Sequence, residues 1–188
     1  MNDFHLQMLA SPAWAQMLEQ DLMPWIDQVA DLGDDLLEIG PGPGLSTDLL
    51  RQRAAQVTAV EVDRSLADAL KRRLAETNVE VIYGDAAISM FADNRFSGAA
   101  CFGVLHHVVS PERQDELLAE VLRVLRPGAS LVVEDGYDNE GTRARHADDV
   151  FVPLDLDALP DRLKAIGYVD VVLDQAVYDI RFCARKAG

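Results

Sequence analysis

The stretch Leu36-Leu37-Glu38-Ile39-Gly40-Pro41-Gly42-Pro43-Gly44 decides the fold of this chain. Its apolar run predicts a short buried strand, and the alternate glycines allow a tight turn into a helix, predicted over 45–53. Further strands are predicted at 57–62, 79–83, 98–102 and 131–134, with helices between them. This alternation predicts an α/β fold with a doubly wound, mostly parallel sheet and helices on both faces. Two neighbouring strands, 169–173 and 177–183, predict an antiparallel edge.

The chain length of 188 residues fits one domain, 1–188. Residues 1–30 predict an N-terminal helical lid or substrate region, interrupted at Ser11-Pro12 and at Pro24. The polar stretch 136–152 predicts a loop or a small cap insert.

The composition points to a cytoplasmic protein. No run of about 18 apolar residues predicts a membrane span, and the first ten residues contain Asp3 but no Lys or Arg, unlike a signal peptide. Cys101 and Cys183 lack CxxC spacing, which favours buried, reduced thiols.

Charge limits the partners. The chain has 17 Lys and Arg residues against 32 Asp and Glu residues, a net charge of −15. Nucleic-acid binders usually present a basic face, whereas the basic clusters here are no larger than Lys71-Arg72-Arg73 or 181–186. We therefore expect a small-molecule substrate, neither nucleic acid nor a membrane surface as partner, and a monomer or a homodimer.

Three acidic residues at predicted strand ends outline a ligand. Glu38 would repel a phosphate but attract an ammonium group, and Pro41 and Pro43 lack the N–H groups that bind phosphate. Glu61, 21 residues after Gly40, is placed to accept the hydroxyls of a ribose, and Asp85 to accept an adenine amine. An ammonium, a ribose and an adenine without phosphate together describe S-adenosylmethionine. The glycine-proline loop could instead be a purely structural turn, and Asp85 could cap a helix. Asp63 is the local competitor of Glu61, but its position suits the N-cap of the following helix.

The motifs of the chain resemble those of class I, Rossmann-like S-adenosylmethionine-dependent methyltransferases of the type 11 small-molecule subgroup. Leu36 to Gly44 resembles the first motif, Val60-Glu61-Val62-Asp63 the second and Gly84-Asp85-Ala86 the third. Val104-Leu105-His106-His107-Val108 resembles the motif after strand four, and 122–128 the motif before strand five.

The resemblance implies the strand order 3-2-1-4-5-7-6, with strand seven antiparallel, and S-adenosylhomocysteine as product. The implied cofactor site comprises Glu38, Gly40, Pro41, Gly42, Gly44, Glu61, Val62, Asp85, Ala86 and Gly103. The first three motifs also resemble RNA adenine dimethyltransferases, but the Asn-Leu/Pro-Pro-Tyr type motif of those enzymes is replaced here by Phe102-Gly103-Val104-Leu105-His106. RNA methylation, non-catalytic cofactor binding and a nicotinamide-dependent oxidoreductase are the alternatives.

Two histidines are the candidates for catalysis. His106 or His107 could accept a proton from a hydroxyl or amine acceptor, or orient it; the alternative is packing beside the cofactor. Trp14, His5 and Tyr137 are predicted to line the substrate site, although tryptophans on such a helix also serve as core anchors. No metal site is predicted, because His146 and its neighbouring acids lack ligand spacing.

Overall fold

The computed structural model describes residues 3–146, 148–175 and 179–188. Its centre is a seven-stranded sheet in the order β3-β2-β1-β4-β5-β7-β6, which confirms the predicted order. β7 runs antiparallel to both of its neighbours. The strands are β1 (Asp35–Ile39), β2 (Gln56–Glu61), β3 (Val79–Tyr83), β4 (Phe96–Phe102), β5 (Leu125–Gly136), β6 (Tyr168–Gln175) and β7 (Asp179–Lys186).

Helices cover the sheet, as the α/β pattern predicts. They are α1 (Asp3–Leu9), α2 (Pro12–Met17), α3 (Met23–Val29), α4 (Leu45–Leu50), α5 (Arg64–Arg73), α6 (Pro111–Val124), α7 (Glu140–Arg145) and α8 (Leu159–Ile166). Gly167, in the left-handed conformation, ends α8. Among the described residues, no helix has the length and apolar character needed to span a membrane.

The two faces of the sheet belong to different hydrophobic clusters. Leu37 and Ile39 of β1 join the cluster that includes residues of α6 and α8, whereas Leu36 joins the cluster that contains α3 and the turn before it. Side chains alternate along a strand, so Glu38 shares the face of Leu36. The strand therefore buries a carboxylate beneath the N-terminal helices.

The predicted break at Pro24 is wrong. The chain is helical from Pro12 to Val29, with a π-helical turn at Leu18–Leu22. The Met23 N–H donates to the Leu18 carbonyl, five residues earlier. This wider turn lies just before Pro24. Because Pro24 stands in the first turn of α3, its missing N–H does not interrupt the helix.

Three other elements differ in detail from the sequence prediction. The segment expected as a loop or small cap contains α7, which begins at Asn139 because its side chain accepts the Thr142 N–H. β5 begins directly after α6, at Leu125, earlier than the predicted strand at 131–134. The predicted helix 45–53 is shorter and ends at Leu50.

Candidate active site

The glycine loop after β1 turns tightly and passes close to the end of β4. Gly40 has φ +62°, and a Cβ there would lie 2.5 Å from Val104 Cγ2. Only glycine avoids both the left-handed strain and this contact. The loop therefore brings the ends of β1 and β4 together.

Glu61, at the end of β2, braces this loop. Its Oε2 accepts the Gly42 N–H at 2.9 Å, and its Oε1 accepts the Asp63 N–H at 2.9 Å. Only 5% of the residue is exposed. A carboxylate has further lone pairs on both oxygens, so Glu61 can brace the loop and still accept the ribose hydroxyls as predicted. The sequence did not suggest the bracing role.

Glu38 is a buried carboxylate with an oxygen left over. Its Oε1 accepts the Ser46 hydroxyl at 2.5 Å, while its Oε2 has no hydrogen-bond partner among the described residues. Burial raises the pKa of Glu38 from 4.5 to about 7, against the opposing effect of the Ser46 hydrogen bond. A cationic ligand group would satisfy the second oxygen and stabilise the charged form.

A cavity of about 290 Å³ opens at the ends of β1, β2 and β3. We call it the β2–β3 cavity. From the predicted cofactor residues it contains Gly40, Val62, Asp85 and Ala86, and its wall also includes Val104, His107 and Val108. Val62 is 68% exposed, an apolar side chain available for packing against a flat ring.

Asp63 and Asp85 both act as caps. Asp63 accepts the N–H groups of Ser65 and Leu66 at the start of α5, as its sequence position suggested. Asp85 Oδ1 accepts the Ala87 N–H at 2.9 Å. The second oxygen of Asp85 lies 3.9 Å from Arg113, so the capping role does not use both oxygens.

A second cavity, of about 310 Å³, lies under the N-terminal helices. We call it the N-terminal cavity. Its apolar wall includes Met8, Leu9, Trp14 and Met17. Its polar wall comprises Gly103, His106, Glu134, Gly136, Thr142, His146 and Asp179.

His106 is held by a buried carboxylate. Its Nδ1 lies 2.5 Å from Asp135 Oδ1, and the other oxygen of Asp135 accepts the Val104 and Leu105 N–H groups at 3.1 and 2.7 Å. An acceptor at Nδ1 places the ring proton there and leaves Nε2 as the basic nitrogen. Asp135 thus orients His106 and the turn that carries it.

His107 and His146 lie beside His106. The ring centroids are 4.2 Å apart for His106 and His107 and 4.7 Å apart for His106 and His146. Phe151 stacks on His146 at 4.7 Å. Burial lowers the pKa of His107 to about 4, assisted by the neighbouring His106, so this imidazole is neutral near pH 7.

Two carboxyl groups give the N-terminal cavity an acidic end. Burial raises the pKa of Glu134 well above its usual value, and the nearby charge of Asp179 raises it further. Arg181 lies close to Asp179, at 3.9 Å, but pairs more closely with Asp21 of the N-terminal segment, at 2.5 Å.

The predicted substrate residues have different positions. Trp14 lines the N-terminal cavity and also packs against the core, so it serves as a core anchor and its substrate contact stays a prediction. Tyr137 packs against the other core cluster, whereas its neighbour Gly136 lines the cavity. The side chain of His5 lies outside the described part of the chain.

The sequence reasoning missed Asp135, Glu134 and His146. Glu134 and Asp135 lie at the carboxyl end of β5. The rule that ligands bind beyond the carboxyl ends of parallel strands could therefore have identified both. His146 was weighed only with its neighbouring acids, because it comes from a separate segment and nothing in the sequence places it beside His106.

A family model described as "Methyltransferase domain", of type 11, matches residues 37–133, slightly more than half of the chain. The chain belongs to this methyltransferase family. The resemblance inferred from its motifs is therefore confirmed.

Curated relatives carry different names. The chain is 42% identical over 72 residues to a probable ribosomal RNA small subunit methyltransferase A of Methanopyrus kandleri, covering 37% of this chain and 26% of that protein. It is 32% identical over 102 residues to the demethylmenaquinone methyltransferase of Clavibacter sepedonicus, covering 54% and 40%. The chain thus spans less than half the length of these relatives.

Solved structures share the fold. The PH0226 protein of Pyrococcus horikoshii superposes with a TM-score of 0.79 at 18% identity, covering 94% of this chain and 92% of that one. A phosphoethanolamine N-methyltransferase 2 of Haemonchus contortus, solved in complex with S-adenosyl-L-methionine, gives 0.77 at 15% identity, covering 90% and 53%.

S-adenosylmethionine is the cofactor of this family of methyltransferase domains. The structure fits it: the buried Glu38 Oε2 lacks a partner, and the β2–β3 cavity offers Val62 beside Gly84-Asp85-Ala86.

Proposed function

We propose that this chain transfers the methyl group of S-adenosylmethionine to a small molecule in the N-terminal cavity. One observation carries the proposal: consecutive residues after β4 line two cavities. Gly103 and His106 line the N-terminal cavity, and Val104 and His107 line the β2–β3 cavity. A cofactor in one cavity would therefore present its methyl group at the edge of the other.

We expect the adenosyl part in the β2–β3 cavity, with Glu61 on the ribose and Asp85 on the adenine. Gly40, Gly42 and Gly103 would border the methionine part, and Glu38 would accept its ammonium group. Pro41, Gly44, Val62 and Ala86 complete the proposed site.

The transfer itself needs mainly position and a water-poor site, because the cofactor carries the reactive group. A lone pair of the acceptor forms a bond to the methyl carbon while the carbon–sulfur bond breaks. The sulfur leaves as the thioether of S-adenosylhomocysteine. For a hydroxyl or amine acceptor, we assign the released proton to Nε2 of His106, which Asp135 orients.

A compact acceptor agrees with the cavity. Its volume of about 310 Å³ lies at the lower end of the range for small-molecule sites. Met8, Leu9, Trp14 and Met17 would contact an apolar or aromatic body, and Glu134 with Asp179 would meet a polar or basic end. The buried, free thiols of Cys101 and Cys183 accord with a reducing, cytoplasmic location, which we also propose.

RNA is the second candidate acceptor, favoured by the 42% identity to the Methanopyrus kandleri relative. The net charge of −15 favours the small molecule. Incubation with methyl-labelled S-adenosylmethionine tests the choice, with panels of phenols, amines and demethylated quinones set against undermethylated small ribosomal subunits. Label in a small molecule is expected; label in ribosomal RNA alone would contradict the assignment. Cofactor binding without transfer to any acceptor would favour the non-catalytic alternative.

A further inference from the structure

Three of the four histidines of this chain meet at one point of the fold. His106 and His107 come from the turn after β4, and His146 follows α7, about 40 positions later in the chain. One ring nitrogen from each histidine lies within 4.8 Å of the other two. The sequence expectation of no metal site considered His146 only with its neighbouring acids, whereas the fold brings His146 beside His106 and His107.

Each of these rings has an oxygen acceptor at Nδ1. His106 Nδ1 lies 2.5 Å from Asp135 Oδ1, His107 Nδ1 lies 3.2 Å from the Val150 carbonyl, and His146 Nδ1 lies 2.7 Å from the Thr142 carbonyl. Metal-binding histidines characteristically donate their second N–H to a carboxylate or a backbone carbonyl. This pattern selects Nε2 as the ligand atom in all three rings.

The geometry points to a site for a divalent transition-metal ion of the zinc class, bound by Nε2 of His106, His107 and His146. Zinc binds imidazole nitrogen at about 2.0–2.1 Å, which places tetrahedral ligands about 3.4 Å apart. Ring nitrogens within 4.8 Å of one another would have to approach by up to about 1.4 Å to reach that spacing. Imidazole ligands favour zinc, copper and nickel over magnesium or calcium.

The segments that carry the histidines are braced against each other. The Val152 N–H donates to the His106 carbonyl at 2.7 Å. Gln114 Nε2 donates to both the Leu105 carbonyl, at 3.0 Å, and the Val152 carbonyl, at 2.8 Å. Phe151 stacks against His146. These contacts connect the segment that carries His146, Phe151 and Val152 to the turn after β4, and so hold the three rings near one another.

Carboxylates near the rings would favour a cation. Asp135 contacts His106, and Asp149 Oδ2 lies 3.9 Å from His107 Nδ1. These groups supply negative charge that three neutral imidazoles lack.

Three protein ligands leave a coordination position for another molecule, as in catalytic zinc sites. Because His106 and His146 line the N-terminal cavity, an oxygen or nitrogen atom of a cavity ligand would take that position. An ion bound to Nε2 of His106 would occupy the lone pair that otherwise accepts the proton. His106 therefore binds the ion or accepts the proton, but does not do both at once. The metal site stands on side-chain geometry and goes beyond the proposed methyl transfer.

The test uses the purified full chain after treatment with a chelator. Zn²⁺ is titrated in competition with a chromophoric chelator, and Co²⁺ is followed by its visible absorption. We expect one ion per chain and a Co²⁺ spectrum typical of nitrogen ligands. His146→Gln and His107→Gln should each weaken binding at least tenfold, since even lost outer-shell partners cost that much. Arg143→Ala, on the exposed side of α7, is the matched control and should bind as wild type.

Absence of one-to-one binding in the folded wild type would overturn the site. So would Zn²⁺ affinity that both histidine variants retain while circular dichroism shows them folded. A titration of S-adenosylhomocysteine on the same samples separates the proposals: cofactor binding without metal binding refutes only the metal site, and the reverse refutes only the cofactor assignment.

Discussion

Replacement of Glu38 by Gln should make the free protein more stable above pH 7. Burial raises the pKa of this carboxyl from 4.5 to about 7. At 1.36 kcal/mol per pKa unit, keeping it charged in the empty protein costs about 3 kcal/mol. Glu38→Gln removes that cost and retains an oxygen for the Ser46 hydroxyl.

The direction of the pH dependence follows from the number of protons that the folded and unfolded states bind. Between pH 4.5 and 7 the folded state holds a proton on Glu38 that the unfolded state has lost. The contribution of this group to the free energy of unfolding therefore declines as pH rises through this window and levels off above pH 7. The difference between Glu38→Gln and wild type should thus be small near pH 4.5 and reach about 3 kcal/mol at pH 8, a rise of roughly 6–12 °C in Tm.

Urea unfolding of both proteins from pH 5 to 8 measures this difference, with the exposed Glu76→Gln as control. Because the cofactor's ammonium group needs the charged carboxylate, Glu38→Gln should also weaken S-adenosylhomocysteine binding. Wild-type affinity should fall by up to about tenfold for each pH unit below 7. Parallel stability curves for wild type and Glu38→Gln would refute the buried-carboxylate reasoning, and unchanged affinity would refute the ammonium contact.

Three further substitutions have defined outcomes. Glu61→Ala should weaken cofactor binding by about 1–3 kcal/mol, since charged hydrogen bonds are lost; calorimetry with S-adenosylhomocysteine on the folded variant measures it, and unchanged affinity would contradict the ribose contact. Asp135→Asn should lower the free energy of unfolding by about 2–4 kcal/mol, because an amide cannot accept from every donor that the carboxylate serves; urea unfolding checks this, and a loss below 0.5 kcal/mol would be inconsistent with it. Gly40→Ala should destabilise more than Gly128→Ala, since both have positive φ but only the former approaches Val104; equal losses on thermal unfolding would assign the whole effect to backbone strain.

The fold was predictable because its signals are local. The apolar run before Gly40 predicts a buried strand, and Ser110 with Pro111 predicts the start of α6, where the Ser110 hydroxyl accepts the Arg113 N–H. Pro24 misled because a π-helical turn, which no propensity indicates, keeps the helix continuous.

The site was predictable only in part. Residues that follow strands in sequence, such as Asp85 and His106, could be placed at one edge of the sheet. His146 could not, because its position depends on how the segment after β5 packs onto the turn after β4. The bracing of the glycine loop by Glu61 is likewise a tertiary contact, between residues 19 positions apart.

A crystal structure with S-adenosylhomocysteine would test the proposed cofactor site directly. We expect the adenine in the β2–β3 cavity, the ribose hydroxyls about 3 Å from Glu61, the amino group at the same distance from Glu38, and the sulfur facing the N-terminal cavity. The adenosyl group in the N-terminal cavity against Trp14, or an amino group remote from Glu38, would contradict it.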